Sequence, residues 1–210
     1  MHANRSESLV GPQFTVAIVG GGFAGATLAA QLLSKSGGTV SVILIERNAR
    51  LGRGVAYGTR CTEHLLNVRA RNMSAYPDDP EHFLRWASHH DPGVTPDDYL
   101  PRRVYGEYAA SLLQQEIERY PGRLEHVQDE AVSVAWVEGA AEIRLRSGGR
   151  RLAKKVVIAL GNFPPGDPRL PGKTPHSQRY VPNPWAASAP SDLAKDGSVW
   201  SHRGCDLAVS

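Results

Sequence analysis

Hydrophobic positions along this chain switch between two periods, and the switches mark its elements. Val16, Ile18 and Val19 form a short β-branched run of the kind a parallel strand covered on both faces requires. After a cluster of glycines, Ala26, Leu28, Ala29, Leu32 and Leu33 recur at helical spacing, and Gly37-Gly38 closes that helix. VSVILIE, ending at Glu46, reads as a second buried strand. Arg47 to Met73 has no clean period, yet Val55, Tyr57, Leu65, Leu66 and Val68 make it too apolar for disorder. Asp79 as N-cap and Pro80 in the first turn predict a helix carrying Phe83, Leu84 and Trp86, stopped by Pro92. Pro101 begins a longer helix with Tyr105, Tyr108, Ala109, Leu112, Leu113 and Ile117 on its apolar face, ended by Pro121-Gly122. Strand-like pieces in RLEHVQDEAVSVAWV and AEIRLRS, with turns at Glu138-Gly139 and Gly148-Gly149, predict a three-stranded antiparallel meander. KKVVIALG, Lys154 to Gly161, is a last buried strand that rejoins the main sheet.

The glycines between the first strand and first helix carry the chemistry. Gly20, Gly22 and Gly25 fit G-x-G-x-x-G, with Gly21 filling a variable place. Gly20 permits the tight turn, Gly22 lets the backbone approach a pyrophosphate, and Gly25 lets the helix sit close to the sheet. The phosphates would meet free N–H groups at the helix N-terminus, where the dipole favours negative charge. Glu46 ends the second strand 21 residues after Gly25, placed to accept hydrogen bonds from an adenosine ribose diol. Strand, glycine turn, helix, strand and acid together predict a dinucleotide site on a Rossmann-like α/β domain with a parallel sheet plus the meander.

Composition narrows the alternatives. The 210 residues are 41% hydrophobic and 21% charged, which suits one large globular domain without a disulfide or metal staple. A net charge of +3, without blocks of like charge or aromatic-interleaved basic patches, argues against a nucleic-acid partner. Cys61 and Cys205 lie far apart with no CxxC, which excludes a vicinal dithiol centre and fits a reducing compartment. Residues 1–13 read as a disordered polar tail, not a signal peptide, and no apolar run is long enough to span a membrane. A cytoplasmic protein is expected. His82 and His89, about 10 Å apart along a helix, are too distant to share a metal and read as a solvated face. Gly172-Lys173-Thr174 imitates a P-loop, but the partner glycine position is Asp167 and Pro175 forbids the helix that must follow. No Ser-His-Asp elbow, carboxylate pair or metal cluster offers a competing reaction centre.

The glycine turn, the Glu46 strand end, the meander and the Ala159-Leu160-Gly161 strand resemble the FAD domain of two-dinucleotide-binding flavoproteins. GRGVAYGT-x-x-x-x-HLLNV, MSAYPDDPEHFLRWA, LPRRVYGEY and YVPNPW resemble more specifically the FAD/NAD(P)-binding proteins related to flavin-dependent urate hydroxylase and aspartate N-monooxygenase. The likeness implies an FAD-binding domain over 14–185. The implied enzyme is a monooxygenase-like oxidoreductase in which NAD(P)H reduces FAD and a small molecule is hydroxylated. Gly20, Gly22 and Gly25 would hold the pyrophosphate and Glu46 the ribose, with Arg47 and Gly161 also counted as cofactor-binding. Gly52 to Tyr57, including Gly54, and Asn67 to Met73 would pass near the isoalloxazine; a turn-forming role is the alternative for Asn67. Arg102 or Arg103 would contact the cofactor, which of the two being open, with a plain helix-end charge as the alternative. Val132 would offer backbone hydrogen bonds to the adenine. Arg69 stands where this family has proline.

The end of the chain departs from the resemblance. After NPW the family leads into a second strand and glycine turn for NAD(P)H, whereas this chain reads KDGSVWSHRGCDLAVS. Residues 186–210 are therefore read as the remnant of a truncated nicotinamide domain or linker. Two rival readings stand beside the monooxygenase: a non-catalytic dinucleotide-binding fragment, and an NAD(P)-binding dehydrogenase domain in which Arg47 reads a 2′-phosphate. Substrate and oligomeric state leave no signature.

Overall fold

The structure, a computed structural model, describes residues 14–163 and Asn183. The tail 1–13, the Gly172-Lys173-Thr174 stretch, most of YVPNPW, the 185/186 boundary and the expected remnant 186–210 lie outside the described residues. The chain divides into two units, Met1–Gly54 with Ala109–Gly161, and Val55–Tyr108 with Asn162–Ser210.

The first unit is built in three layers. Strand β1 (Phe14–Val19) leads through the glycine turn into helix α1 (Phe23–Lys35), and β2 (Val40–Ile45) follows after Gly37-Gly38, both at positive φ. β1 and β2 pair in parallel from Phe14↔Val40 to Val19↔Ile45. Because successive strand residues face opposite sides, this pair feeds two cores. Val16, Ile18, Val40, Val42 and Leu44 pack with Ala26, Ala29, Ala30 and Leu33 of α1 and with Leu113. Ala17, Val19, Ile43 and Ile45 pack on the other side with Val127, Ile143, Leu145 and Ala153. Each fully buried Ile, Leu or Val contributes about 1.5–3 kcal/mol, so the sandwiching of β1 and β2 dominates this unit. The uninterrupted apolar runs are the consequence of covering both faces.

The stretch RLEHVQDEAVSVAWV divides in two. β3 (Leu124–Val127) joins the parallel sheet beside β2, and only β4 (Ala131–Val137) enters the meander. Antiparallel partners β5 (Ala140–Leu145) and β6 (Arg150–Ala153) complete it. Asp129 breaks the run: its carboxylate accepts bonds from the Glu130 N–H and the Ser147 hydroxyl, and it turns the chain from one sheet to the other. β7 (Lys155–Ile158) pairs in parallel with β1, giving the sheet order β3-β2-β1-β7. It is not the buried strand expected. Among the described residues it is an edge with one neighbour, and Ile158 is 56% exposed.

In the second unit, one-turn helix α2 (Gly54–Tyr57) begins an irregular path whose backbone groups are nonetheless paired. Residues 64–71 run beside 96–102: Leu66 N–H donates to Leu100 O, Ala70 N–H to Asp98 O, and Arg102 N–H to His64 O. A 3₁₀ turn at Ala70–Asn72 follows Arg69, whose φ of −65° is the value a proline would impose, so the loop keeps its shape without one. Helix α3 (His82–His90) starts later than expected. Asp79 does not cap it, since its carboxylate pairs with Arg85, and the N-cap position falls on Glu81. Helix α4 (Arg102–Arg119) carries the division between the units; in this one its Tyr105 and Tyr108 meet Phe83 and Trp86 in an aromatic cluster with Tyr57 and His82.

His82 is therefore not on a solvated face. Its Nδ1 lies 2.8 Å from the Tyr108 hydroxyl, which also accepts the Ala75 N–H. Burial, against the opposing pull of Asp79, lowers the pKa of His82, and burial with the Arg102 charge lowers that of His64. The unfolded chain takes up these protons near pH 6.5 and the folded one only at lower pH. Stability is expected to be complete above pH 6.5 and to drain as pH falls through the folded values. Urea midpoints measured on both sides of that pH check this, and His82→Gln should shrink the slope; an unchanged slope removes His82 from the account.

Candidate functional site

In the first unit, backbone approach, not side-chain preference, dictates the glycine turn. Gly20 takes φ +105°, and a Cβ there would meet Ala159 O at 2.2 Å, because the turn lies against the end of β7. Its N–H donates to Ile45 O at 2.8 Å. A Cβ on Gly25 would come to 1.8 Å from Gly20 O and 3.3 Å from Ile18 Cγ2, so α1 rests directly on the turn that precedes it. Gly22 is the N-cap of α1 with no side-chain cap, and no acid occupies the first turn. Neither a cap side chain at Gly22 nor a first-turn carboxylate therefore occupies that end of the helix, where backbone N–H groups and the dipole suit an anion.

Gly21, assigned by sequence only to a variable place, is as constrained as the others. A Cβ there would meet Glu46 Cβ and Leu51 Cδ2, each at 2.7 Å. Its N–H donates to Glu46 Oε2 at 2.8 Å, while Glu46 Oε1 accepts from the Asn48 N–H at 2.9 Å and from Asn48 Nδ2 at 2.7 Å. Glu46 N–H in turn donates to Val127 O. A carboxylate has about four lone-pair sites, and three donors engage Glu46. The acid is thus fixed in place with acceptor capacity left over. The signal that could have found Asn48 is its position two residues after an acid, where an asparagine closes a local turn.

Around that core, Arg47 is exposed, and its charge helps hold the Glu130 carboxyl below its usual range, after the larger effect of Arg146. Glu130 and Arg146 form a two-pronged pair at 2.8 and 2.9 Å that fixes the turn before β4. Val132 sits where the β4–β5 register shifts between Ala131 and Ser133, so it has no ladder partner and is 53% exposed. Gly54, at φ +57°, lies beside Gly22, whose Cβ would stand 3.4 Å from Gly54 Cα. Gly161, at φ +66°, would bring a Cβ within 4 Å of nothing among the described residues.

In the second unit, Asn67 is exposed and Met73 is half-buried after the 3₁₀ turn. The two arginines opening α4 differ. Arg103 reaches Glu107 one turn along at 3.6 Å, and its Nε is buried with no hydrogen-bond partner. Arg102 is anchored through its N–H on His64 O at 2.7 Å, and its positive charge acts on both His64 and Tyr57. Thr59, buried, meets His64 Nδ1 through its hydroxyl at 2.7 Å and also accepts the Cys61 N–H. Sequence reading passed over the Thr59–His64 pair because nothing in the spacing of a threonine and a histidine announces it. Among the described residues no group of His, Cys, Asp or Glu side chains could hold a metal, and no helix is long and apolar enough to cross a membrane.

Comparison with solved structures gives the same fold. The open form of cyclohexanone monooxygenase superposes with a TM-score of 0.54 at 19% identity, covering 77% of this chain and 29% of that one. An ε-caprolactone-bound form of cyclohexanone monooxygenase gives 0.51 at 20% identity, covering 76% and 29%. This chain therefore spans less than a third of the length of those structures. No curated protein matches it by sequence. The profile of the FAD-NAD(P)-binding family matches residues 17–163, from the first strand through the glycine turn and Glu46 to the end of β7, and the chain belongs to that family.

Proposed function

We propose that this chain is the FAD-binding part of an NAD(P)H-dependent flavin monooxygenase acting on a small molecule, of the group related to flavin-dependent urate hydroxylase and aspartate N-monooxygenase. The observation that carries the reading is the uncapped N-terminus of α1 beside the Gly21-anchored carboxylate of Glu46. One end is built for a diphosphate and the other for a ribose diol. When bound, FAD supplies the redox chemistry, taking electrons from NAD(P)H and passing them to oxygen.

The chain's own residues bind and orient. Gly22 leaves the helix end open to the pyrophosphate, and the remaining acceptor site of Glu46 takes a ribose hydroxyl. Val132, without a ladder partner, has backbone groups to offer the adenine edge. Arg47 and Gly161 keep the cofactor-binding role that the family resemblance gives them, and Gly54 lies beside Gly22. Asn67, Met73 and one of Arg102 and Arg103 keep the cofactor contacts that the family resemblance gives them. The meander packed on the sheet supports this reading over a dehydrogenase domain in which Arg47 would read a 2′-phosphate, since a plain NAD domain needs no such insertion.

The absorption spectrum of the purified 210-residue chain tests the proposal. Bound flavin in stoichiometric amount, identified as FAD on release, is expected; a colourless protein that takes up no added FAD overturns it. Glu46→Ala should weaken FAD by about 10- to 150-fold, corresponding to about 1.5–3 kcal/mol for a hydrogen bond to a charged group. Titration of the variant checks this, and unaltered affinity removes Glu46 from the ribose role.

A further inference from the structure

Beside the glycine turn, the first unit contains a groove lined by none of the residues assigned to the pyrophosphate, ribose or adenine. It encloses about 500 Å³ between the loop after Glu46 and the flank of α4. Arg50, Arg53 and His126, with Ser111 and Gln114, supply its polar lining, and Leu51, Leu113 and Ile117 its apolar wall. No acid lines it. Among the described residues, Arg50, Arg53 and His126 make no ion pair or side-chain hydrogen bond, whereas Arg144, Arg146, Arg150 and Arg151 on the meander are all paired with glutamates. Two guanidinium groups without an ion pair among the described residues, and the His126 imidazole, thus line one concavity.

The groove is held open by backbone geometry. Gly52, at φ +81°, presses against α4 so closely that a Cβ would meet Ala110 N at 2.7 Å. Its N–H donates to Gly21 O at 2.8 Å. The loop bearing Arg50 and Arg53 is thereby pinned to the helix on one side and to the glycine turn on the other. None of Gly20, Gly22, Gly25, Glu46, Arg47 or Val132 lines the groove.

The geometry points to a second ligand site here, for a nucleoside phosphomonoester. Guanidinium forks suit the oxygens of a phosphate dianion, and His126 adds a further donor. The wall of Leu51, Leu113 and Ile117 offers a flat heterocycle an apolar face, and the volume falls in the range of about 300–1,000 Å³ typical of small-molecule sites. Two sources carry this chemistry: the 2′-phosphoadenosine end of NADP(H), and a free nucleoside 5′-phosphate. Arg53 belongs to the Gly52 to Tyr57 stretch that the resemblance places near the isoalloxazine, whereas Arg50 and His126 carry no FAD assignment, and the test rests on those two.

Calorimetric titration of the whole chain with 2′,5′-ADP, 5′-AMP and inorganic phosphate, with and without added FAD, tests it. At least one nucleotide is expected to bind at least tenfold more tightly than phosphate alone, whether or not FAD is present. The tighter of the two names the source. Arg50→Ala combined with His126→Ala, both exposed positions, should lower that affinity at least tenfold and leave FAD titration as it was. Single Arg50→Gln, checked for folding by circular dichroism, should give a smaller loss in the same direction. The proposal is overturned by absence of nucleotide binding, by phosphate binding equally well, by variants that bind like the parent, or by displacement of the nucleotide when FAD is added. Failure of FAD to bind, with nucleotide binding intact, would count against the FAD reading alone.

Discussion

The contact on which the first unit depends is the one between α1 and its own preceding turn. At Gly25 a methyl group would stand 1.8 Å from Gly20 O, and at Gly20 it would stand 2.2 Å from Ala159 O. A helix, a turn and the end of β7 thus meet with no side chain between them. Only that closeness lets the first N–H groups of α1 open at the carboxyl edge of the sheet, next to the end of β2. Glu46 then needs no reach of its own: the Gly21 N–H and Asn48 hold its carboxylate where the turn has already placed it. Placement of the acid and exposure of the helix end are two results of one packing constraint.

That constraint is supported from both faces of β1 and β2. One face is filled by α1, the other by Ile143, Leu145 and Ala153 of the meander. The meander thus substitutes for the second helix layer usual in a doubly wound sheet. β3, beside β2 in the parallel sheet, delivers Val127 O to the Glu46 N–H and its Val127 side chain to the same core, so the strand that helps fill this face also fixes the backbone of the acid. Burial and site geometry are coupled through β3, the short strand that passes from one layer toward the other.

The legible parts of the fold were those with a period or a backbone requirement. β1, α1, β2 and α4 follow from apolar spacing, and the glycine turn from the demands of its backbone. Three features escaped because their causes are tertiary. β3 reads continuously with β4 in sequence, and only the bonds of Asp129 to Glu130 and Ser147 divide them. Asp79 has the chemistry of a cap, but Arg85 lies on the face it points to and takes its carboxylate. His82 looks like one of several surface histidines until Tyr108, 26 residues on, arrives beside it. In the site, Gly20, Gly22, Gly25 and Glu46 were visible, whereas Gly21 was not. Its constraint comes from Glu46 and Leu51, and no pattern confined to the turn contains them.

The same reasoning explains why the loop after Glu46 is rich in both arginine and glycine. Gly52 must approach Ala110 and Gly21 together, which only a residue without a side chain at φ +81° permits. With its backbone committed on both sides, the loop has freedom only in the side chains of its neighbours, and among the described residues Arg50 and Arg53 have no carboxylate partner. Had those charges served solubility alone, pairing of the kind seen on the meander would have cost nothing in packing. A loop whose backbone is pinned at Gly52, with two guanidinium groups unpaired among the described residues beside an apolar wall, is the arrangement expected where an anion is to be received with little backbone rearrangement, since a segment already ordered costs less to order when the ligand arrives.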